Sequence, residues 1–181
     1  MKGFARREFQ LVLLRRMADY QPGMVDEAMR ALGASRTEMR EVNARWQRIV
    51  RSRTFPRGRR RYEAVLGPAE TAARRVGDVT CEVASWPPLP LWPELRFEIM
   101  MAPDGSVVQE WLVREGAAPP ESVDEMVPWS CVVGDLDGRL GTVVHRDGDA
   151  PSRWQVTIST PDGSTCVAHF VWGLLQRVDA V

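Results

Sequence analysis

Arginine and amide side chains recur in steps of four, three, four and four residues along one stretch of the chain: Arg36, Arg40, Asn43, Gln47 and Arg51. On a helix, this spacing places them along one face. Arginine suits the edge of guanine and Asn or Gln the edge of adenine, so these residue types match the reading of bases in a major groove. The alternative is a solvated helical hairpin, because long polar residues flank the core stripe of many soluble helices.

A second basic segment, RSRTFPRGRRR, follows directly at residues 51–61. Pro56 and Gly58 should break any helix there, so we expect a mobile basic loop. Such an arm can follow phosphates or enter a minor groove beside a helical DNA-binding unit. The expected phosphate contacts are Arg53, Arg57, Arg59, Arg60 and Arg61, and Arg51 is also expected to bind nucleic acid. The alternative partner is an acidic protein surface, which includes the C-terminal half of this same chain.

The net charge of zero hides a strong asymmetry between the two halves of the chain. Residues 1–76 hold 18 of the 24 Lys and Arg and 8 of the 24 Asp and Glu, whereas residues 77–181 hold 6 and 16. The balances are therefore +10 and −10. Asymmetry of this size indicates a polyanionic partner for the basic half, or attraction between the two halves.

The elements that would hold these side chains are helical. Apolar residues at helical spacing predict a first helix over residues 4–20 and a second that ends before Gly33. Ser35, with Glu38 three residues later, predicts a capping box at the start of a third helix that ends at Arg51. A further short helix is expected over residues 69–76, closed by Gly77.

The segment MRALGASRTEMREV, residues 29–42, resembles the generic helix-turn-helix pattern. The matching positions are apolar Leu32, the turn Gly33, small Ala34, capping Ser35, and the core residues Met39 and Val42. Met29 departs from the pattern, since a small alanine is usual there. The resemblance implies that the third helix enters a DNA major groove.

From Val79 onward the pattern alternates, and it predicts strands over residues 79–85, 95–101 and 106–113. The Pro- and Trp-rich segment 86–95 either packs its tryptophans over a sheet edge, which we favour, or serves as a ligand for an aromatic groove. Residues 129–178 carry four or five short strands that resemble a small SH3-like barrel of the kind that includes KOW and Tudor modules. We expect three units: residues 1–77, 78–125 and 126–181.

Tryptophans in the last unit could form an aromatic surface for a protein partner or for self-association. They are Trp129, Trp154 and Trp172. Acidic residues at this end, among them Asp135, Asp137, Asp147 and Asp149, argue against nucleic-acid contact there.

Enzyme chemistry finds little support in the residue pattern. Cys166 and His169 lie at odd spacing on one predicted strand, so their side chains should face opposite sides. Cys131 and His145 could meet only across a hairpin, and no catalytic or phosphate-binding motif is present. We therefore expect no catalytic residue, no metal and no cofactor. The chain contains no apolar run long enough for a membrane span, and its three separated cysteines indicate a reducing compartment, for which the cytoplasm is the default.

Together these observations predict an α+β protein with a helix-turn-helix-like N-terminal domain and a β-rich half that ends in a small SH3-like barrel. The expected function is non-enzymatic nucleic-acid binding, with duplex DNA favoured over RNA, as a regulator or accessory factor. One alternative is a protein–protein adaptor or assembly factor that uses complementary basic and acidic halves. The other is an RNA- or ribosome-associated factor that uses the same arginines.

Overall fold

The computed structural model describes residues 4–116, 120–136, 139–147, 150 and 152–181. Within these residues the chain forms four α-helices, two short 3-10 helices and two four-stranded antiparallel sheets. The predicted α+β class is confirmed. The helices are α1 (Arg6–Met17), α2 (Pro22–Ala31), α3 (Arg36–Arg51) and α4 (Arg59–Leu66).

Helix α1 is the central helix of the fold. It buries seven of its twelve residues, including the consecutive run from Leu11 to Leu14. A helix that is apolar on more than one side must be covered on more than one side. Phe9 accordingly contacts Trp46 of α3 at a ring-centroid distance of 5.5 Å and Phe97 of the first sheet at 4.8 Å.

The turn between α2 and α3 is held by local and long-range bonds. Gly33 adopts a left-handed φ of +60°, which glycine tolerates without steric cost. The Ser35 hydroxyl accepts a hydrogen bond from the Glu38 amide at 3.1 Å, as predicted for the cap. Arg7 of α1 donates to the carbonyls of Leu32 (3.0 Å) and Gly33 (3.2 Å) and to the Glu38 carboxylate (2.7 Å). The first helix therefore fixes the angle at which α3 leaves the turn.

The first sheet contains β1 (Glu70–Val76), β2 (Val79–Trp86), β3 (Leu95–Met101) and β4 (Val107–Arg114), in that order. The prediction of a helix over residues 69–76 is wrong, because β1 occupies this stretch. All seven residues of β1 are exposed, so no buried stripe selected a helix, and backbone pairing with β2 overrides the helical preference of its alanines. Gly77, expected as a helix stop, instead forms a tight hairpin turn with Asp78 between paired Val76 and Val79.

The second sheet contains β5 (Thr142–Asp147), β6 (Arg153–Ser159), β7 (Thr165–Val171) and β8 (Leu174–Ala180). Within this sheet each strand pairs with its neighbours along the chain, so the order is β5-β6-β7-β8. In the described part of the chain this is an open antiparallel sheet. No closed barrel is formed by these residues, and the expected SH3-like closure is not confirmed.

The largest hydrophobic cluster spans the helices, the inner face of the first sheet, and Val171, Trp172 and Leu174 at one end of the second sheet. One cluster of apolar side chains therefore contains residues from both sides of the predicted boundary at residue 77. The division of the chain into three units stays a prediction. Trp86 and Trp92 are buried in this cluster, as the packing interpretation of residues 86–95 predicted. Arg6 secures the segment by donating to the carbonyl of Pro87 at 2.7 Å. No helix among the described residues is both long and apolar enough to cross a bilayer.

Candidate nucleic-acid interface and the adjacent cleft

Six arginines on α3, on the loop that follows it and on α4 point to solvent without an ion pair to any described residue. We call them the exposed arginines: Arg40, Arg48, Arg51, Arg53, Arg57 and Arg60. Arg40, Arg48 and Arg51 share the side of α3 opposite its buried residues, because they are eight and three positions apart. Arg48 was not among the predicted contacts; its position on this outer face is the signal that could have identified it.

Three other predicted contacts, Arg36, Arg59 and Arg61, are engaged within the chain. Arg36 holds the Asp26 carboxylate through two hydrogen bonds of 2.8 and 2.5 Å, and this bond lowers the pKa of Asp26 and raises that of Arg36. Arg59 pairs with Glu63 at 3.2 Å and with Glu82 of β2 at 2.5 Å.

The predicted loop over residues 51–61 is therefore only partly correct. Residues 52–58 are irregular, but Arg59, Arg60 and Arg61 form the first turn of α4. Gly58 begins this helix with a φ of +56°, so the glycine that was expected to break a helix instead serves as its cap. Arg61 is half-buried, and its Nη2 donates to the carbonyl of Val50 at 3.5 Å.

Asn43 and Gln47 lie between Arg40 and Arg51 on the same face of α3, where that face approaches the buried residues. Both are half-buried, because they border the stripe that buries Met39 and Trp46. Their side chains line a cleft of about 200 Å³ between the helices, β4 and the turn between β7 and β8. We call it the α3 cleft. The five predicted residues of the α3 face are thus divided between solvent, an ion pair and this cleft.

The α3 cleft carries both charge and aromatic surface. Arg16 of α1 lies against the Trp172 ring, with its guanidinium carbon 6.0 Å from the ring centroid. The Tyr62 hydroxyl donates a short hydrogen bond to the Glu110 carboxylate. Burial raises the pKa of Tyr62 well above its usual value. Burial also raises the pKa of Glu110, although Tyr62, Arg61 and Arg16 act in the opposite direction.

Three buried polar atoms of the cleft residues make no hydrogen bond within the described part of the chain: Ser152 Oγ, Trp172 Nε1 and Arg61 Nε. Ser152 is 3% exposed and Trp172 is 6% exposed. Trp172 also has a φ of +52°, a left-handed conformation that is uncommon for a bulky residue. No local sequence pattern indicates Arg16, Glu110 or Ser152 as cleft residues, since they come from distant parts of the chain.

Ion pairs neutralise part of the basic half outside this region. On the first sheet, Arg74 donates to both oxygens of Glu98 at 2.7 and 3.0 Å. Glu98 is only 5% exposed and also accepts from Trp111 Nε1 at 2.9 Å. Arg75, the next residue, is largely exposed. The charge balance of the sequence therefore overstates the basic surface that remains open to a partner.

The three predicted partner-binding tryptophans occupy different environments. Trp172 is buried in the turn between β7 and β8. Trp129 is half-buried against Trp92, with ring centroids 5.9 Å apart. Trp154 is half-buried and lies 6.1 Å from Trp111 at the rim of a groove of about 420 Å³.

The cysteine thiols and histidine imidazoles occupy different environments. Cys131 is buried, and burial raises the pKa of its thiol to about 11, whereas His145 is exposed. His169 contacts Asp179 at 3.0 Å between Nε2 and Oδ2, and burial raises the pKa of Cys166. Within the described ranges, no group of three or more His, Cys, Asp or Glu could hold a metal ion.

Comparison with known proteins gives little further information. No protein-family model matches the chain, and no curated protein matches it. Among solved structures, the chain is similar to a crystal structure from Streptococcus mutans described as a "putative beta-lactamase inhibitor protein". The two are 15% identical, and the match covers 66% of this chain and 79% of the other, with a TM-score of 0.28. A match this weak carries no argument about fold or function.

Proposed function

We propose that this protein binds nucleic acid without catalysing a reaction, with duplex DNA favoured over RNA, as a regulator or accessory factor. The observation that carries the proposal is the concentration of unpaired, solvent-facing arginines between residues 40 and 60. Had these side chains served to dock the chain on its own acidic half, they would be held in ion pairs, as Arg59 is with Glu82. Their exposure leaves them available to phosphates.

In this proposal α2, the Gly33 turn and α3 act as a helix-turn-helix unit, and α3 approaches the major groove. Arg40 and Arg51 are the best-placed side chains on it, since they are exposed. Asn43 and Gln47 reach bases only through their solvent-facing portions. Arg36 contributes if a phosphate or a base replaces Asp26 as its partner. Arg53, Arg57 and Arg60 contact phosphates beside the groove.

The salt dependence of DNA binding gives the expected size of the effect of removing arginines. Each phosphate contact releases counterions and adds roughly −0.9 to the slope of log K against log salt concentration for duplex DNA. Replacing Arg53, Arg57 and Arg60 with alanine should therefore flatten that slope by about three. The measurement is fluorescence anisotropy of the full chain with labelled random-sequence duplex DNA over a potassium chloride series.

A charge-matched control separates a site from a general effect of net charge. The control variant replaces Arg75, Arg146 and Arg177, which are exposed arginines of β1, β5 and β8, with alanine. We expect the control to keep the wild-type slope. Equal losses in the two variants, or no binding of the wild type at low salt, would refute the proposal. Competition by structured RNA that exceeds competition by duplex DNA would favour the RNA-associated alternative.

A protein partner for the β-rich half is a second candidate, favoured by the groove beside Trp111 and Trp154. It takes in the adaptor alternative and self-association. The half-exposed Trp154 is the side chain best placed to enter such an interface. If the half self-associates, sedimentation velocity of the wild type should detect a dimer, and Trp154→Ala should shift it to monomer.

A further inference from the structure

Strand β1 is an edge strand, with a neighbour on one side only. The strand order of the first sheet is β1-β2-β3-β4, and all seven residues of β1 are exposed. In the described part of the chain, residues 70–76 make no backbone hydrogen bond outside their ladder with β2. An open edge of this kind is a template for pairing with another strand.

The hairpin turn determines which backbone groups of β1 face this edge. Val76 pairs with Val79 across a two-residue turn, so these two residues form a hydrogen-bonded pair. Bonded and non-bonded pairs alternate along an antiparallel ladder. The N–H and C=O groups of Thr71, Ala73 and Arg75 therefore point away from β2, toward the free edge.

The helices leave β1 uncovered. Arg59 of α4 reaches as far as β2, where it pairs with Glu82 at 2.5 Å. Beyond this contact a groove of about 570 Å³ opens on the helix side of the sheet, and its lining includes Thr71, Ala73 and Thr80. A further strand can therefore lie beside β1 without meeting α4.

The charges of β1 are complementary to those of a second, antiparallel copy of the same strand. Glu70 and Arg74 lie four residues apart, so their side chains are on the same face of the sheet. When Ala72 faces its own counterpart, each Glu70 lies directly opposite Arg74 of the other copy, and opposite charges in this position stabilise strand pairing. Thr71 then lies opposite Ala73, and the two such pairs form four backbone hydrogen bonds between the copies.

Other registers lose this complementarity. With Ala73 at the centre, each charged residue faces an uncharged one, and with Arg74 at the centre two arginines face each other, which is unfavourable. Glu70 and Arg74 are also open to a second partner. The Glu70 side chain is 70% exposed while it pairs with Arg96, and that of Arg74 is 45% exposed while it pairs with Glu98.

We propose that two copies of this chain associate through β1, which pairs with itself in antiparallel register around Ala72 and joins the two first sheets into one eight-stranded sheet. The two-fold axis is perpendicular to this sheet, so the helices and the exposed arginines of both copies lie on the same face. The dimer does not depend on nucleic-acid binding, and its surface is distinct from the groove beside Trp154. Because the pairing is short, a weak association is expected, with a Kd on the order of 10–100 µM.

Cysteine cross-linking tests the register. In the proposed dimer the two copies of residue 72 form a non-hydrogen-bonded pair with Cα atoms about 4.5 Å apart, a distance that a disulfide spans. The two copies of residue 73 lie on a diagonal of more than about 7 Å, which is too far. Under mild oxidation, Ala72→Cys should give a covalent dimer on a non-reducing gel. Ala73→Cys and the wild type, whose three cysteines are buried, should stay monomeric on that gel.

Sedimentation velocity from roughly 5 to 500 µM protein measures the association without a cross-link. Ala73→Pro removes an N–H that faces the free edge, where proline is tolerated, so this variant should be folded and monomeric. Glu70→Arg places like charges opposite each other and should weaken the association about tenfold or more. Glu27→Arg is the matched control and should associate as the wild type does, since the Glu27 side chain is 74% exposed and also pairs with one arginine.

Circular dichroism establishes that each variant is folded before it is tested. The proposal is overturned if the folded wild type sediments as a monomer at all concentrations, or if Ala73→Pro and Glu70→Arg both associate as the wild type does. A covalent dimer of Ala73→Cys without one of Ala72→Cys would overturn the register. A dimer that is lost in Trp154→Ala and retained in Ala73→Pro would overturn the role of β1 and assign the association to the second sheet.

Discussion

Gly173 lies in the turn between β7 and β8, where the second sheet packs against β4 of the first sheet. Its replacement by alanine should be strongly destabilising. The residue has a φ of +72°, and a Cβ placed on it would lie 2.9 Å from Trp111 Cβ and 3.0 Å from the Leu112 carbonyl oxygen. The turn cannot move away freely, because the carbonyl of Gly173 accepts a hydrogen bond from the Val133 amide at 2.8 Å and that of Trp172 accepts one from the Leu112 amide at 2.7 Å.

The expected loss of unfolding free energy has two parts, and a variant at a second glycine separates them. A left-handed backbone costs an alanine roughly 1–2 kcal/mol, and overpacking in a well-packed region costs about 1–3 kcal/mol more. Gly163→Ala is the matched control, since Gly163 has a φ of +89° but nothing within 4 Å of an added Cβ. We therefore expect a loss of about 2–5 kcal/mol for Gly173→Ala and about 1–2 kcal/mol for Gly163→Ala.

Urea unfolding followed by circular dichroism measures both free energies of unfolding, provided that the m-value is unchanged. Equal losses in the two variants would refute the reasoning, because they would mean that the approach of Gly173 to Trp111 and Leu112 contributes nothing. A loss confined to Gly163→Ala would refute the close packing of this turn against β4.

Three further predictions concern buried ionisable groups. Arg74→Ala leaves the buried Glu98 carboxylate without its cation and should lower the free energy of unfolding by about 2–4 kcal/mol. The loss is smaller than for a fully buried pair because Arg74 is half-exposed. Arg75→Ala should be nearly neutral, and equal urea midpoints for the two variants would contradict the prediction. Burial raises the pKa of Glu110 in the folded protein. The stability that protonated Glu110 provides is therefore present below its pKa in the unfolded chain and is lost as pH rises through its pKa in the folded protein. Glu110→Gln should accordingly stabilise the protein more at pH 7 than at pH 4 in urea titrations. Cys131, with a thiol pKa of about 11, should react with iodoacetamide at pH 8 at least tenfold more slowly in native than in urea-unfolded protein, because its thiolate fraction is about 100-fold lower.

The helices could be predicted because their signals are local. Ser35 caps α3 and Gly33 closes α2 within a few residues of the apolar stripes that they delimit. Strand β1 could not be predicted from the same signals. Its residues are all exposed, and its conformation is set by the backbone edge of β2, which a local pattern of alanines does not reveal.

The α3 cleft could not be predicted, because its chemistry is assembled from residues far apart in the chain. Gln47 is 63 positions from Glu110 and 105 positions from Ser152. The spacing of Asn43 and Gln47 indicated only that they share a face of α3. It could not indicate whether that face meets solvent or a second sheet, since the answer depends on where the turn between β7 and β8 packs.

In the folded chain, only part of the positive charge of the basic half remains available to a partner. Several arginines of the basic half are paired with acidic residues of the other half, as Arg59 is with Glu82 and Arg74 is with Glu98. Attraction between the halves and a basic surface are therefore both present, in different places. The exposed arginines lie on the outer side of α3 and just beyond it, so removing Arg53, Arg57 and Arg60 should weaken DNA binding without breaking an ion pair of the described residues.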